Sequence, residues 1–286
     1  MIINYYKPLG KTSFSVIKEF KEKYPGEKVG YVGTLDPMAE GAMVILTGSD
    51  TKRCEELVKL PKEYEFDVVF GVSTDSGDVL GLVDDKFRIK SLEPACAGRL
   101  RSKLRVKNFR EILKTFLGEY QQTVPAFSSV KVKGRKLHEV SRKKHILKND
   151  LPKRPVNIHE IALLKFYTLP YSDFEKEIFG RLGQLGVFGK YFRIDEVVKR
   201  WKEYFAVQKA AGMPDAPFAD FRLLSGRDRK SGAGVPRRSI AKCQIATIRA
   251  VVSKGTYIRS LAEDIGEKLG VSAMCLSIRR TKVGLC

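Results

Sequence analysis

Gly30-Tyr31-Val32-Gly33-Thr34-Leu35-Asp36-Pro37-Met38-Ala39-Glu40-Gly41 packs three glycines and a proline around a single aspartate. That composition describes a bent loop which brings backbone close to a ligand and fixes a carboxylate at its tip. An isolated Asp-Pro more commonly does no more than bond nearby backbone N–H groups. The surroundings of the loop therefore carry the decision.

Downstream of it the apolar run Ala42 to Leu46 leads on from the loop. Upstream, Ile2 to Tyr6 has strand composition and stops at the turn signal Lys7-Pro8-Leu9-Gly10. Thr12 or Ser13 is placed to cap a helix with Val16, Ile17 and Phe20 on one face, ended by Pro25-Gly26. Further out, Glu65–Phe70 and Val156–Phe166 read as strands, separated by a polar loop at Thr74–Asp78 and a helical stretch at Phe109–Phe116. Val130–Leu137 suggests a hairpin around Lys133-Gly134. Ser239–Val252 is strand-like, and Tyr257–Leu269 is an amphipathic helix with Ile258, Leu261, Ile265 and Leu269 on one side and Gly270 at the stop position. Strands mixed with a few helices, without regular βαβ alternation, predict an α+β fold: a mixed, largely antiparallel β-sheet with flanking helices.

The expected organisation is one domain over residues 1–286, interrupted by an insertion at 169–238. That segment changes composition. It holds one clear helix, with Ile194, Val197, Val198, Trp201 and Phe205 at helical spacing, and then the basic, glycine-rich Ser225–Gly234.

Charge narrows the function. The chain carries 53 Lys and Arg against 33 Asp and Glu, a net +20. Between Lys86 and Arg154 alone there are 20 basic and 5 acidic residues. Basic residues interleaved with glycine and aromatics, as in Phe127–Lys136, predict a nucleic-acid partner. They do not line up on one amphipathic helix, which disfavours a membrane surface. No apolar run approaches the roughly 18 residues of a transmembrane helix, and the N-terminus lacks signal-peptide features, so a cytoplasmic protein is expected. Cys54, Cys96, Cys243, Cys275 and Cys286 are scattered without C-x-x-C spacing, and His138, His145 and His159 lack zinc-site partners. No metal site is expected.

The aspartate loop resembles the signature Gly-His-x-Gly-Thr-Leu-Asp-Pro-x-Ala-x-Gly of TruB-type tRNA pseudouridine synthases. The resemblance continues in order. It includes Lys7-Pro8-x-Gly10-x-Thr12-Ser13, Thr47-Gly48-x-x-Thr51-Lys52, Lys62-x-Tyr64, and Phe70-Gly71-x-x-Thr74-Asp75-x-x-Asp78-x-x-Gly81. It resumes at Pro125-x-Phe127-Ser128-x-x-Lys131-x-x-Gly134-x-x-Leu137-x-Glu139-x-x-Arg142 and ends with Ser253–Leu261, Asp264-x-Gly266 and Arg279-Arg280. Together these cover residues 1–168 and 239–286.

The resemblance implies isomerisation of uridine, at uridine-55 of the tRNA T-arm, without metal or redox cofactor. N1–C1′ breaks, the base turns over, C5 bonds C1′, and the proton leaving C5 is balanced by one gained at N1. Asp36 is implied as the catalytic carboxylate, either attacking the nucleoside or removing a ribose proton. Arg259 is its implied counter-charge, expected to grip it bidentately, and Tyr64 the aromatic that stacks on the target base. Tyr31, Lys7, Phe127, Lys131 and Lys254 are the implied RNA contacts, with Lys7 and Lys254 alternatively ordering loops.

Three departures accompany the match. Tyr31 stands in place of the family histidine and Phe127 in place of the usual tyrosine, and with Val283-Gly284-Leu285-Cys286 directly after the last motif, the family's small C-terminal RNA-binding domain is expected to be absent. The expectation is a monomer acting on tRNA with no obligatory protein partner. The alternatives are a guide-RNA-dependent synthase, or a non-catalytic RNA-binding or folding factor.

Overall fold

The computed structural model describes residues 1–84, 106–132, 134–143, 150–186, 189, 192–210 and 242–284. The Cys96, Lys133, His145, Ser225–Gly234 and Cys286 readings lie outside them.

Ten strands are present among the described residues: β1 Ile2–Lys7, β2 Val29–Val32, β3 Ala39–Thr47, β4 Lys62–Phe70, β5 Gly118–Thr123, β6 Lys131–Val132, β7 Arg135–Lys136, β8 Lys153–Pro170, β9 Lys242–Val252 and β10 Ala273–Val283. Eight form one sheet in the order β1-β3-β10-β4-β9-β8-β5, with β2 paired to β3. Every pairing in it is antiparallel except β10 with β3, which runs parallel and sets Arg280 opposite Gly41. The expected α+β class is what the chain adopts. β6 and β7 make the separate hairpin expected around Gly134.

Strand pleating sorts the side chains into two cores. On one face Tyr64, Phe66, Val68 and Phe70 of β4 meet Phe109 and Leu113 of helix α3 (Val106–Lys114) and Leu261 and Ile265 of helix α7 (Ile258–Leu269). On the other, Val69, Ile245, Met274 and Leu276 are covered by two helices, α5 (Tyr171–Gly183) and α6 (Ile194–Ala210). Helix α1 (Ser13–Lys23) packs Val16, Ile17 and Phe20 onto Met43 and Ile45, and a one-turn helix α2 (Cys54–Leu57) lies between β3 and β4 in the chain.

Between the family-like segments the sequence reading recognised only α6. Helix α5 is its partner, burying Phe174, Ile178 and Leu182 against it. The α6 stripe behaves as its spacing predicted. Val197, Trp201 and Phe205 are buried, and the Trp201 indole N–H donates to the Val79 carbonyl at 3.1 Å. Strands β5 and β10 were also unforeseen, although β10 lies between β3 and β4 in the middle of the sheet.

Candidate active site

The expected Gly30–Gly41 loop is shorter than its sequence suggested. Val29–Val32 and Ala39–Thr47 pair as an antiparallel ribbon, so only residues 33–38 remain as the turn. Gly33 has φ 74° and Gly41 φ 109°, conformations that glycine adopts without steric cost. At Gly41 a Cβ would also collide with the Arg280 backbone of β10.

The turn is pinned from several sides. Ser13 Oγ donates to the Leu35 carbonyl at 3.0 Å and accepts from the Leu35 N–H at 2.9 Å. The Gly10 N–H donates to the Pro37 carbonyl at 2.9 Å. Arg280, 1% exposed, donates through Nε to Ala42 O at 2.6 Å and through Nη2 to Gly33 O at 3.2 Å, joining the two ends of the turn. With its neighbours fixed in this way, the Asp36 carboxylate stands at the tip, 37% exposed.

Arg259 approaches from the first turn of α7. Its Nε donates to Asp36 Oδ2 at 2.8 Å. The expected bidentate grip is not what forms. Nη1 donates to Ser76 O at 2.7 Å and Nη2 to Phe127 O at 3.2 Å, so the rigid guanidinium fork is divided among three elements and meets Asp36 with one edge atom. A second carboxylate, Asp78, lies 3.8 Å from the same Nε. Its Oδ1 accepts from Ser76 Oγ at 2.6 Å and from the Leu80 N–H at 3.0 Å. Burial raises the Asp78 carboxyl pKa, and Arg259 opposes that shift. Burial would weaken the Arg259 charge, but Asp36 and Asp78 outweigh it and hold the guanidinium protonated.

These groups line a cavity together with Pro37, Leu80, Phe127, Phe192 and Arg193. Helix α4 (Leu137–Lys143) holds the Phe127 loop, with the Ser141 hydroxyl donating to Ala126 O at 2.8 Å and the His138 N–H to Ser128 O at 3.1 Å. The turn before α7 is held by buried Gln122, whose side chain bonds both the N–H and the carbonyl of Tyr257.

The remaining predicted site residues are placed unevenly. Tyr64, expected to face this cavity, is not among its lining residues. Being on a central strand paired on both sides, it points into the core with Leu35 and Ile258. Lys7 is fully buried rather than presented to RNA, and its ammonium donates to Pro8 O at 3.0 Å and Lys11 O at 2.7 Å. Burial lowers its pKa to about 8, against the pull of Asp36 and Glu40. Lys131 on β6 and Lys254 before α7 are exposed, and the Tyr31 hydroxyl meets Thr34 Oγ1 at 3.4 Å on the turn itself. Sequence reasoning quoted Asp78 within a motif without giving it a role, and it passed over Phe192 and Arg193. Those two residues carry no local signal, because only packing brings them to the cavity. Among the described residues no group of side chains has the arrangement of a metal site, and no helix is long and apolar enough to cross a membrane.

A family model described as TruB family pseudouridylate synthase (N terminal domain) matches residues 21–178. Relatives named tRNA pseudouridine synthase B include that of Thermus thermophilus, 30% identical over 279 residues. That alignment spans 97% of this chain and 71% of the relative. The Aquifex aeolicus protein is 28% identical across 97% of this chain and 66% of its own length, and the Parabacteroides distasonis protein 27% identical across 99% and 85%. An archaeal box H/ACA sRNP Nop10-Cbf5 complex has a chain that aligns with 99% of this one and 47% of itself, at 18% identity and a TM-score of 0.47.

Proposed function

Because the chain belongs to the TruB family of pseudouridylate synthases, we propose that it converts uridine to pseudouridine in tRNA, at the T-arm uridine that the resemblance implies. One observation carries this reading. A half-exposed carboxylate at the tip of a pinned turn faces a cavity, with a buried guanidinium 2.8 Å behind it. The guanidinium aims the Asp36 carboxylate at the cavity, as either covalent attack or proton abstraction requires. In this reading Asp36 is the catalytic residue, and Arg259, anchored by the Ser76 and Phe127 carbonyls, positions it. Phe127 supplies an aromatic wall for a base that has left its stack. Tyr31, Lys131 and Lys254 contact the RNA around it, and the resemblance assigns Tyr64 to the target base. The protein acts as a monomer in the cytoplasm without a guide RNA.

The test is to incubate purified protein with an unmodified tRNA transcript and measure pseudouridine chemically, position by position. Conversion at a single T-arm uridine on bare transcript is the expected result. No conversion at any position, from folded protein that binds the transcript, would overturn the assignment.

A further inference from the structure

We propose that Arg193, on the segment between β8 and β9, is a substrate-contacting residue that takes a phosphodiester oxygen beside the target uridine. The inference rests on the isomerase reading above and assigns a part of that same site.

The cavity is lined by two guanidinium groups with different surroundings. Arg259 is 4% exposed, and each of its three nitrogens faces a protein acceptor. Arg193 is 27% exposed. Among the described residues its guanidinium makes one ion pair, to Asp75 Oδ2 at 3.0 Å, and lies over the Phe127 ring at 4.8 Å from the centroid. An arginine has five N–H donors, so this arrangement orients the group and leaves donors for an incoming acceptor.

Electrostatics identify that acceptor. The cavity already holds the Asp36 and Asp78 carboxylates, with Arg259 sealed between them. A nucleotide entering it brings a phosphodiester toward the partly exposed Asp36 carboxylate, and a partly exposed arginine on the wall offsets the repulsion. Guanidinium and phosphate match in charge and hydrogen-bond geometry. Stacking on Phe127 places that cation beside the ring proposed to wall the flipped base.

The backbone is built to hold it there. Arg193 has φ 55°, the one positive value at a non-glycine among the described residues. Such a conformation is unfavourable for a residue with a Cβ and persists where surrounding contacts over-determine it. Here the Phe192 N–H donates to Gly189 O at 2.9 Å, and the Arg193 carbonyl accepts from the Val197 N–H at 3.0 Å, starting α6. The end of α5 is fixed as well. Gly10 lies so close to the Gln184 carbonyl that a Cβ would overlap it, and Gly10 itself bonds Pro37. The segment therefore touches the active site through both Gly10 and Arg193.

The test titrates tRNA at several salt concentrations and measures steady-state kinetics for wild type, Arg193→Gln and Arg193→Lys. Loss of one phosphate contact should flatten the log–log salt dependence by about 0.7 to 0.9. It should also raise KM about tenfold with kcat nearly unchanged, as for an interaction equal in ground and transition states. Arg193→Lys should recover the slope. A second arm needs no folded variant: transcripts carry a neutral methylphosphonate at one or the other phosphate flanking the target uridine. One of these should weaken binding by wild type, and the other should not. An unchanged slope and KM in Arg193→Gln, or wild type tolerating both neutral linkages, overturns the contact while leaving the isomerase reading intact. Absence of pseudouridine from the wild-type reaction overturns the isomerase reading instead, and the binding slopes still report on Arg193.

Discussion

Asp36 Oδ2 and Arg259 Nε meet at 2.8 Å although 223 positions separate them in the chain. The contact joins a turn between β2 and β3 to the first turn of α7, across a sheet in which β10 runs parallel beside β3. Its partners Ser76, Asp78 and Phe127 come from two further loops, so three segments converge on the guanidinium that α7 carries.

Asp36→Asn removes the charge while keeping the size of the side chain. Conversion of uridine should fall below detection, whereas tRNA affinity stays within a few fold. Pseudouridine formation by Asp36→Asn at a rate near wild type would rule out Asp36 as the reacting group.

Arg259→Lys keeps a positive charge but cannot serve Asp36, Ser76 and Phe127 through a planar fork. A misplaced carboxylate costs about 100-fold in kcat. Arg259→Met goes further, leaving buried Asp78 without its counter-charge, and should destabilise by about 3–5 kcal/mol. Chemical denaturation and single-turnover kinetics read the two effects separately. A lysine variant with wild-type kcat would show that the divided fork is unnecessary.

Ser13→Ala leaves the Leu35 N–H and carbonyl without the hydroxyl that satisfies both. Each unpaired buried group costs about 1–3 kcal/mol, so the variant should lose stability, and kcat should fall because the turn carrying Asp36 loosens. Ser13→Thr retains the hydroxyl and should recover much of both. Equal behaviour of Ala and Thr variants would contradict the pinning role.

Lys7 titrates at about 8 in the fold against an ordinary 10.5, with burial as the cause. Above pH 8 the folded protein releases a proton that the unfolded chain keeps until near 10.5. Deprotonation therefore favours folding across that window, and this residue contributes least stability at and below pH 8. The stability difference between wild type and Lys7→Met should shift toward wild type by up to about 3 kcal/mol between pH 7 and pH 10.5. Urea denaturation at both pH values measures it. A difference that stays constant with pH would show that Lys7 keeps its proton in the fold.

Local rules made several parts of this protein legible from sequence. Thr12 caps α1, its Oγ1 accepting the Ser15 N–H at 3.0 Å, and Gly270 ends α7 with φ 78°. The apolar spacing of α6 named the side that docks. Each depends on residues within about four positions of one another, where propensity and turn chemistry act directly. The Asp36–Arg259 pairing was anticipated because ordered motifs resemble a known family, and periodicity alone would not have joined them. What only the tertiary structure decided was how distant groups share space. The three-way division of Arg259, the retreat of Tyr64 and Lys7 into the interior, and the central place of β10 follow from strand pairing. The arrival of Arg193 beside Asp75, 118 positions away, follows from the packing of the helices that flank it. A residue's partners at that range are set by which strands and helices stack over one another, and no pattern in its own neighbourhood records that outcome.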